Sequence, residues 1–303
     1  MWSWNRVEWP PVEWFAGPMD VLQSMHPLLI PTRRRVRASR PGPARFVTIH
    51  DLYFLDHPAQ TFGEIRRDYA ALAGSHARRA DGVVVPSEYT REQVVRRLEV
   101  PEERLVVVSP GAPDCPRRVE PPPGGPILFV GTVEPRKNIP GLLKAYSRLR
   151  ERLPGAPPLV VAGGVPGGQD PPRSASDTGV RWLGYVSDQQ LQALYNEASM
   201  LVMPSFDEGF GLPVLHAMTL GVPVVAAGRG SLPEVLGDAG LLVDPEDTAD
   251  IASGLERVLV DPALRGRMAD AGVARARNYR WDTGARRLYA AYEHALNHPR
   301  STP

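Results

Sequence analysis

Short apolar runs that alternate with longer amphipathic segments constrain the fold of this chain more than any other feature. In the first third of the chain, the runs RFVTIH (45–50), GVVVPS (82–87) and RLVVVSPG (104–111) flank segments with helical spacing at 62–80 and 87–100. Strands of this length, separated by helices, favour a parallel sheet with crossover helices. We therefore predict an α/β protein.

The pattern restarts after CPRRVEPPPGGP (115–126), a proline- and glycine-rich segment that is typical of a linker. Beyond it the sequence predicts a doubly wound α/β unit. The expected strands are PILFVG (126–131), PLVVAGG (158–164), VRWLGYV (180–186), MLVMPS (200–205), PVVAAG (223–228) and GLLVDP (240–245). The expected helices cover 139–153, 187–199, 212–221, 232–240, 247–260 and 261–277.

Three segments follow from this pattern: a first domain over 1–118, a second over 119–280, and a final helical segment over 281–303. The first domain is predicted to be abbreviated or truncated at its N-terminus, because the residues before its first clear run hold at most one strand, around 20–24. The last segment contains an amphipathic helix, WDTGARRLYAAYEHALN, that lies beyond the second unit and is expected to pack back on the first domain.

Composition excludes several classes of protein. A net charge of +1 does not predict a nucleic-acid binder. The single cysteine, Cys115, excludes an internal disulfide and a cysteine-rich zinc site. No apolar run reaches the ~18 residues of a spanning helix, and the N-terminus lacks the apolar stretch of a signal peptide. We expect a cytoplasmic protein.

Two N-terminal features leave a membrane contact open. Residues 1–19 hold four tryptophans, which fit a scrambled start, a membrane- or partner-facing patch, or side chains that once packed against missing strands. A truncated first domain is the favoured explanation. RRRVRASR (33–40) predicts a solvated loop, and the alternative is contact with an anionic acceptor or membrane surface. Peripheral contact with the inner membrane surface is therefore one of the expectations.

The stretch EGFGLPVLH (208–216) lies where a predicted strand turns into a helix. Gly209 and Gly211 allow a ligand to approach backbone N–H groups, and a helix N-terminus suits a phosphate. Glu208 cannot favour a phosphate by charge, but a carboxylate accepts hydrogen bonds from hydroxyls, as on a sugar. The alternative is a capping loop with a surface glutamate.

A second loop, GTVEPRKN (131–138), follows the first strand of the same unit. Arg136 and Lys137 lie there at the carboxyl end of a strand, where two cations can grip a diphosphate. Lys137 is one of only two lysines in the chain, the other being Lys144. The alternative is a solvated basic turn. Together the two loops predict an anion site with a sugar-facing acid.

With these motifs in order, the chain resembles the family-four retaining glycosyltransferases, which have two Rossmann-like domains (GT-B) and include sucrose synthase-like and mannosyl-transferring enzymes. The donor-binding domain of that family is resembled by FVGTVEPRKNIPGLLKAYSRL, by WLGYVSDQQLQALYNEASMLVMPSFDEGFGLPVLHAM and by GVPVVAAGRGSLPEVLGDAGLLVDPED. Its acceptor-side domain is resembled by VTIHDLYFLDHP and VVVPSEYTREQVVRRLEVPEERLVVVSPGAPD. The likeness runs from about residue 20 to residue 297.

The resemblance implies roles for particular residues. Arg136 and Lys137 would hold the donor diphosphate and stabilise the leaving group, and Glu208 would bind hydroxyls of the donor sugar. His50 would act near the reacting carbon, across the cleft from the donor; its alternative is a core histidine that ends a buried strand. Further donor contacts would come from Gly131, Val186, Gly209, Phe210, Gly211, Leu212 and His216, with Val186 bordering the nucleobase.

The sequence departs from the family pattern at two places. His216 stands where the family has a second acid that contacts the ribose hydroxyls, and an imidazole cannot bind two hydroxyls as a carboxylate does. The alternative is that His216 is only a packed helix residue. The glycine-rich loop near the family's N-terminus has no counterpart. No D-x-D triplet occurs, so no obligate metal is expected. The resemblance implies that a nucleotide-diphosphate sugar is the donor substrate and that no separate cofactor is needed.

The resulting prediction is a retaining hexosyltransferase of polysaccharide biosynthesis. It would move mannose or another hexose to a glycan or lipid-linked acceptor. The alternative is a truncated, non-catalytic homologue that binds nucleotide or a partner. A nicotinamide oxidoreductase is not favoured, because GGVPGG (163–168) is not a G-x-G-x-x-G motif.

Overall fold

The computed structural model describes residues 9–32, 42–58, 68–119, 124–165 and 179–298. The chain forms two compact units. The first comprises residues 1–111 together with 281–303, and the second comprises residues 112–280. Each unit is built on its own parallel sheet.

The first unit contains a four-stranded sheet in the order β1-β2-β3-β4. Its strands are β1 (Val21–Ser24), β2 (Ala44–Thr48), β3 (Gly82–Val85) and β4 (Leu105–Val107). Its helices are α1 (Glu13–Ala16), α2 (Tyr53–Asp56), α3 (Ala70–Arg79), α4 (Glu88–Leu98) and, from the end of the chain, α11 (Trp281–Asn297). A 3₁₀ turn at Glu102–Arg104 precedes β4.

Both faces of this sheet are covered, which follows from the alternation of side chains along a strand. Val47 and Val83 point into a core that they share with α3 and α4. Phe46 and Val84 point the other way and pack against α11. The ring of Tyr292 on α11 lies edge to face on Phe46, with 4.9 Å between the ring centroids. The last helix therefore belongs to the first unit.

The second unit contains a six-stranded parallel sheet in the order β7-β6-β5-β8-β9-β10. Its strands are β5 (Ile127–Val130), β6 (Leu159–Ala162), β7 (Val180–Gly184), β8 (Met200–Met203), β9 (Val224–Ala227) and β10 (Leu241–Val243). Its helices are α5 (Ile139–Arg152), α6 (Asp188–Glu197), α7 (Leu212–Leu220), α8 (Leu232–Leu236), α9 (Thr248–Val260) and α10 (Pro262–Ala276). Counted within the unit, the order is the 3-2-1-4-5-6 of a doubly wound nucleotide-binding sheet.

Several helices begin at the side chains that the sequence offers as caps. Ser87 accepts a hydrogen bond from Thr90 N at the start of α4. Ser187 and Gln190 form a reciprocal capping box at the start of α6, which satisfies two backbone donors. Asp261 caps α10 by accepting from Leu264 N. These local signals explain why element type could be predicted from the sequence.

Two of the differences from the sequence-based bounds have a clear structural reason. The boundary between the first and second units along the chain lies between residues 111 and 112 and not between 118 and 119. The segment 112–118 belongs to the second unit, because Ala112 N donates to the carbonyl of Tyr279 and Arg118 N donates to that of Leu220. The helix predicted over 232–240 ends at Leu236 and continues as a 3₁₀ turn over Gly237–Ala239.

Some predicted features lie outside the described residues. They are the arginine-rich segment 33–40, the start of the helix predicted over 62–80, most of the loop 164–179, and Trp2 and Trp4. Trp9 and Trp14 are described; each is more than half exposed, and their rings touch edge to face. In the part of the chain that the structure covers, no helix has both the length and the apolar character needed to cross a membrane.

Candidate functional site

The loops 131–138 and 208–216 meet where the strand order of the second sheet reverses, between β5 and β8. β5 and β8 are neighbours, while the chain leaves β5 towards β6 on one side and β8 towards β9 on the other. The backbone of the two loops is joined directly, since Phe206 N donates to the carbonyl of Arg136 at 2.8 Å. Ligands of open α/β sheets bind at such a switch point, beyond the carboxyl ends of the strands.

Glu208 and Lys137 form a buried ion pair at this point. Lys137 Nζ lies 2.5 Å from Glu208 Oε1, and the two side chains are only 8% and 7% exposed. Ser205 Oγ donates to the same carboxylate oxygen at 2.8 Å. Burial alone would raise the pKa of Glu208, but the positive charges of Lys137 and Arg136 outweigh it and lower the pKa. The carboxylate is therefore held ionised.

Arg136 extends the pair into a four-membered ionic cluster. Its Nη1 lies 2.8 Å from Glu208 Oε2, and its Nε lies 2.7 Å from Glu134 Oε1. Nη1 also donates to the carbonyl of Asp207 at 3.2 Å. The side chains of Arg136 and Glu134 are 19% and 26% exposed, so the cluster opens towards solvent at this end. We call these four residues, Glu134, Arg136, Lys137 and Glu208, the ionic cluster.

The N-terminus of α7 adds a further electropositive element beside the cluster. Gly211 precedes the helix with φ +99°, and a Cβ there would lie 2.7 Å from Leu232 Cδ2. A side chain at this position is therefore opposed both by backbone conformation and by space. The helix begins at Leu212, whose side chain is exposed, while Phe210 is buried edge to face against Tyr279. Backbone N–H groups of a helix start favour an anion.

The loop after β9 packs against the backbone of Glu208. Ser231 N donates to the carbonyl of Glu208 at 3.0 Å. Gly230 has φ +62°, and a Cβ there would lie 2.7 Å from Glu208 N, so only glycine lets the two loops lie this close. Neither this loop nor Ser205 or Glu134 was predicted from the sequence to belong to the site. The position of Ser205 at a strand end, three residues before Glu208, is the signal that could have identified it.

His216 lies on α7 and faces α6. Its Nε2 is 3.3 Å from Gln192 Oε1, and its ring lies on that of Tyr195 with 4.3 Å between the centroids. Burial lowers the pKa of His216, which favours a neutral ring. One of its two nitrogens is thus engaged by a neighbouring helix in this structure.

The other residues predicted to contact the sugar-nucleotide donor lie at different distances from the ionic cluster. Gly131 follows β5 and lies beside Lys137, whose Cε would be 3.5 Å from a Cβ at that position. Val186 follows β7, which is separated from β5 by the whole of β6, and packs partly against the core. The structure therefore brings Gly131 and the loop of residues 208–212 to the cluster, whereas Val186 borders a separate part of the same sheet edge.

His50 belongs to the first unit, where it follows β2. It is exposed, so the alternative of a buried core histidine is wrong. Its Nε2 lies 3.1 Å from the carbonyl of Met25. Because a carbonyl only accepts, Nε2 carries the proton, and in the neutral ring Nδ1 is left as an acceptor.

Within the described ranges, no three His, Cys, Asp or Glu side chains are grouped so as to hold a metal ion. The positive groups that could face an anionic ligand at this site include Arg136, Lys137 and the α7 N-terminus.

Comparison with known families agrees with this architecture. The family model described as "Glycosyl transferases group 1" matches residues 119–275, and that of "Glycosyltransferase Family 4" matches residues 13–114. The chain belongs to the group 1 glycosyltransferases.

Two curated relatives illustrate the match. The chain is 36% identical over 229 residues to the O-antigen chain mannosyltransferase B of Escherichia coli, covering 70% of this chain and 60% of the relative. It is 31% identical over 278 residues to the D-inositol 3-phosphate glycosyltransferase of Corynebacterium efficiens, covering 80% of this chain and 66% of the relative. The chain thus spans less than two thirds of the length of either protein.

Solved structures share the fold. The sucrose-phosphate synthase of Thermosynechococcus elongatus superposes with a TM-score of 0.70 at 24% identity, covering 85% of this chain and 69% of that one. Anabaena HepE, solved in complex with UDP and glucose, gives a TM-score of 0.70 at 18% identity, covering 83% and 72%. The predicted fold class, α/β with two Rossmann-like domains, is confirmed.

Proposed function

We propose that this chain transfers a hexose from a nucleoside-diphosphate sugar to a hydroxyl group of a glycan or lipid-linked acceptor, with retention at the anomeric carbon. One observation carries the proposal: Lys137 and Arg136 lie together at the switch point of a doubly wound sheet, beside the N-terminus of α7. Two cations and a helix start at one point suit the diphosphate of such a donor.

The same groups supply the main catalytic effect. When the bond between the anomeric carbon and the β-phosphate oxygen breaks, negative charge develops on the leaving diphosphate. Cations that are already in position stabilise that charge more than they stabilise the intact donor. For retention, the acceptor oxygen enters on the face that the diphosphate leaves, and its proton passes to the departing phosphate oxygen.

Glu208 would orient the donor sugar through a single hydrogen bond. A carboxylate offers about four acceptor positions. Oε1 already accepts from Lys137 and Ser205, and Oε2 accepts from Arg136. One position on Oε2 therefore remains for a sugar hydroxyl, while the loop of residues 209–212 contributes backbone contacts. Gly131 leaves room beside Lys137 for the phosphates.

The remaining roles follow the family resemblance. His50 would act near the reacting carbon through Nδ1, and His216 would offer at most one hydrogen bond to the ribose. Val186 would border the nucleobase. A mannose donor is favoured by the name of one relative, the Escherichia coli mannosyltransferase. No obligate metal is needed if Arg136 and Lys137 neutralise the diphosphate. A cytoplasmic location, with peripheral contact at the inner membrane surface, fits a lipid-linked acceptor.

The test is a titration of the chain with UDP-, GDP- and ADP-hexoses by calorimetry, followed by a transfer assay. Lys137→Met should abolish binding of the donor that the wild type selects. Lys144→Met is the matched control, because Lys144 is the other lysine of the chain and lies exposed on α5. Retention is read from the anomeric configuration of the product by NMR. Donor binding that survives Lys137→Met would refute the diphosphate site.

A non-catalytic homologue is the second candidate, and the contact of His216 with Gln192 favours it. That contact engages a nitrogen that would otherwise be available to the ribose. Selective nucleotide binding without turnover of any sugar nucleotide, in the presence of glycan and lipid-linked acceptors, would support this alternative.

A further inference from the structure

Arg136 is held between two carboxylates that differ in how firmly they are fixed. Glu208 is buried and is also bound by Lys137 and Ser205. Glu134 is partly exposed, and among the described contacts its carboxylate is bound by Arg136 alone. Glu134 is therefore the partner that another anion could more easily replace.

The charges of the ionic cluster sum to zero in this arrangement, with two cations facing two carboxylates. A diphosphate that arrives at a neutral cluster gains little from net attraction. If Glu134 turns into solvent, the cations exceed the remaining carboxylate by one charge, and the Nε–H of Arg136 becomes available to a phosphate oxygen. Breaking this partly exposed pair costs less than breaking the buried pair of Lys137 and Glu208, because water can solvate the released carboxylate.

We propose that Glu134 is an exchangeable counter-ion of Arg136, which the diphosphate of the donor displaces on binding. After transfer, the return of Glu134 to Arg136 Nε competes with the nucleoside diphosphate and weakens its hold. Glu134 thereby sets the affinity for the diphosphate and aids release of the product. The inference rests on the proposed function, since it takes a diphosphate as the ligand of Arg136 and Lys137.

The experiment compares wild type and Glu134→Gln in calorimetric titrations with UDP, GDP and ADP. Glutamine keeps the shape of the side chain and removes its charge. We expect the variant to bind the preferred nucleoside diphosphate about three- to tenfold more tightly, since a like charge beside the ligand is lost. The gain should shrink as NaCl is raised, because salt screens partly exposed charges.

Glu102→Gln is the matched control, because Glu102 also pairs with an arginine, Arg91, but in the first unit. It should leave the affinity unchanged. Glu134→Ser serves as a second variant if glutamine impairs folding, and it should shift the affinity in the same direction.

Two results would overturn the inference while leaving the proposed function intact. Unchanged affinity in both Glu134 variants would show that the diphosphate does not compete with this carboxylate. Weaker binding would show that Glu134 aims Arg136 at the ligand instead of competing with it. If neither wild type nor variants bind any of the three nucleoside diphosphates, the donor site itself is refuted, and the inference falls with it.

Discussion

Replacing Glu208 by glutamine should destabilise the second unit more than any other single change in the ionic cluster. The carboxylate is the shared counter-ion of Lys137 and Arg136. Arg136 would keep Glu134, but Lys137 would keep no described counter-charge while its side chain remains 8% exposed. Removing one partner of a buried pair typically costs about 3–5 kcal/mol, because the other charge stays desolvated.

The magnitude and order of the effects can be measured by thermal unfolding followed by circular dichroism. For a unit of this size, such a loss corresponds to a fall in Tm of roughly 6–20 °C. Lys137→Met should cost less, because Glu208 retains Arg136 and Ser205. In the double variant Lys137→Met/Glu208→Gln no buried charge is left unpaired, so most of the stability lost in Glu208→Gln should return.

The double variant separates folding from ligand binding. It should melt close to the wild type and still fail to bind the nucleoside diphosphate, since its one lysine at the site is gone. A Tm of Glu208→Gln within about 2 °C of wild type would refute the reasoning, because it would mean that Lys137 finds another counter-charge or deprotonates without penalty.

Two further predictions concern α7. Gly211→Ala should lower the free energy of unfolding of the second unit by about 1–3 kcal/mol, because φ is +99° there and a Cβ would meet Leu232. Urea unfolding measures the effect, and Gly266→Ala is the control, because a Cβ at Gly266 meets nothing within 4 Å. Equal effects of the two substitutions would contradict this account. Burial lowers the pKa of His216 below its ordinary 6.5, so the unfolded chain takes up the proton first and stability falls as the pH drops below about 6.5. His216→Gln should therefore lose less Tm than wild type between about pH 7.5 and pH 5, and parallel Tm curves would exclude the effect.

The fold was largely predictable because local signals and global topology agree in this chain. Fully buried four-residue runs such as Leu159–Ala162 are typical of parallel strands covered on both faces. Side-chain caps such as Ser187 mark where helices begin. The point of contact between the two loops also follows from topology, because β5 and β8 are adjacent only in a sheet whose order reverses there.

What the sequence could not predict are the relations between loops that are distant along the chain. Nothing in GTVEPRKN shows that Arg136 bridges Glu134 to Glu208, 72 residues away. Nothing in the sequence around Gly230 indicates that the backbone of Glu208 lies where a side chain at position 230 would be. Such relations are set by how loops from different strands pack at one edge, and local propensity carries no information about that packing.

The ionic cluster also changes what the motif itself implies. From the sequence alone, Arg136 and Lys137 are predicted to bind a diphosphate, and Glu208 is predicted to bind a sugar. In the structure the three groups already bind one another, so a diphosphate at Arg136 would compete with partners that are already in place. Lys137 and Glu208 are too buried to separate cheaply, whereas Arg136 and Glu134 reach solvent. We therefore expect a phosphate to replace the Glu134 carboxylate at Arg136, while the buried pair of Lys137 and Glu208 stays in place.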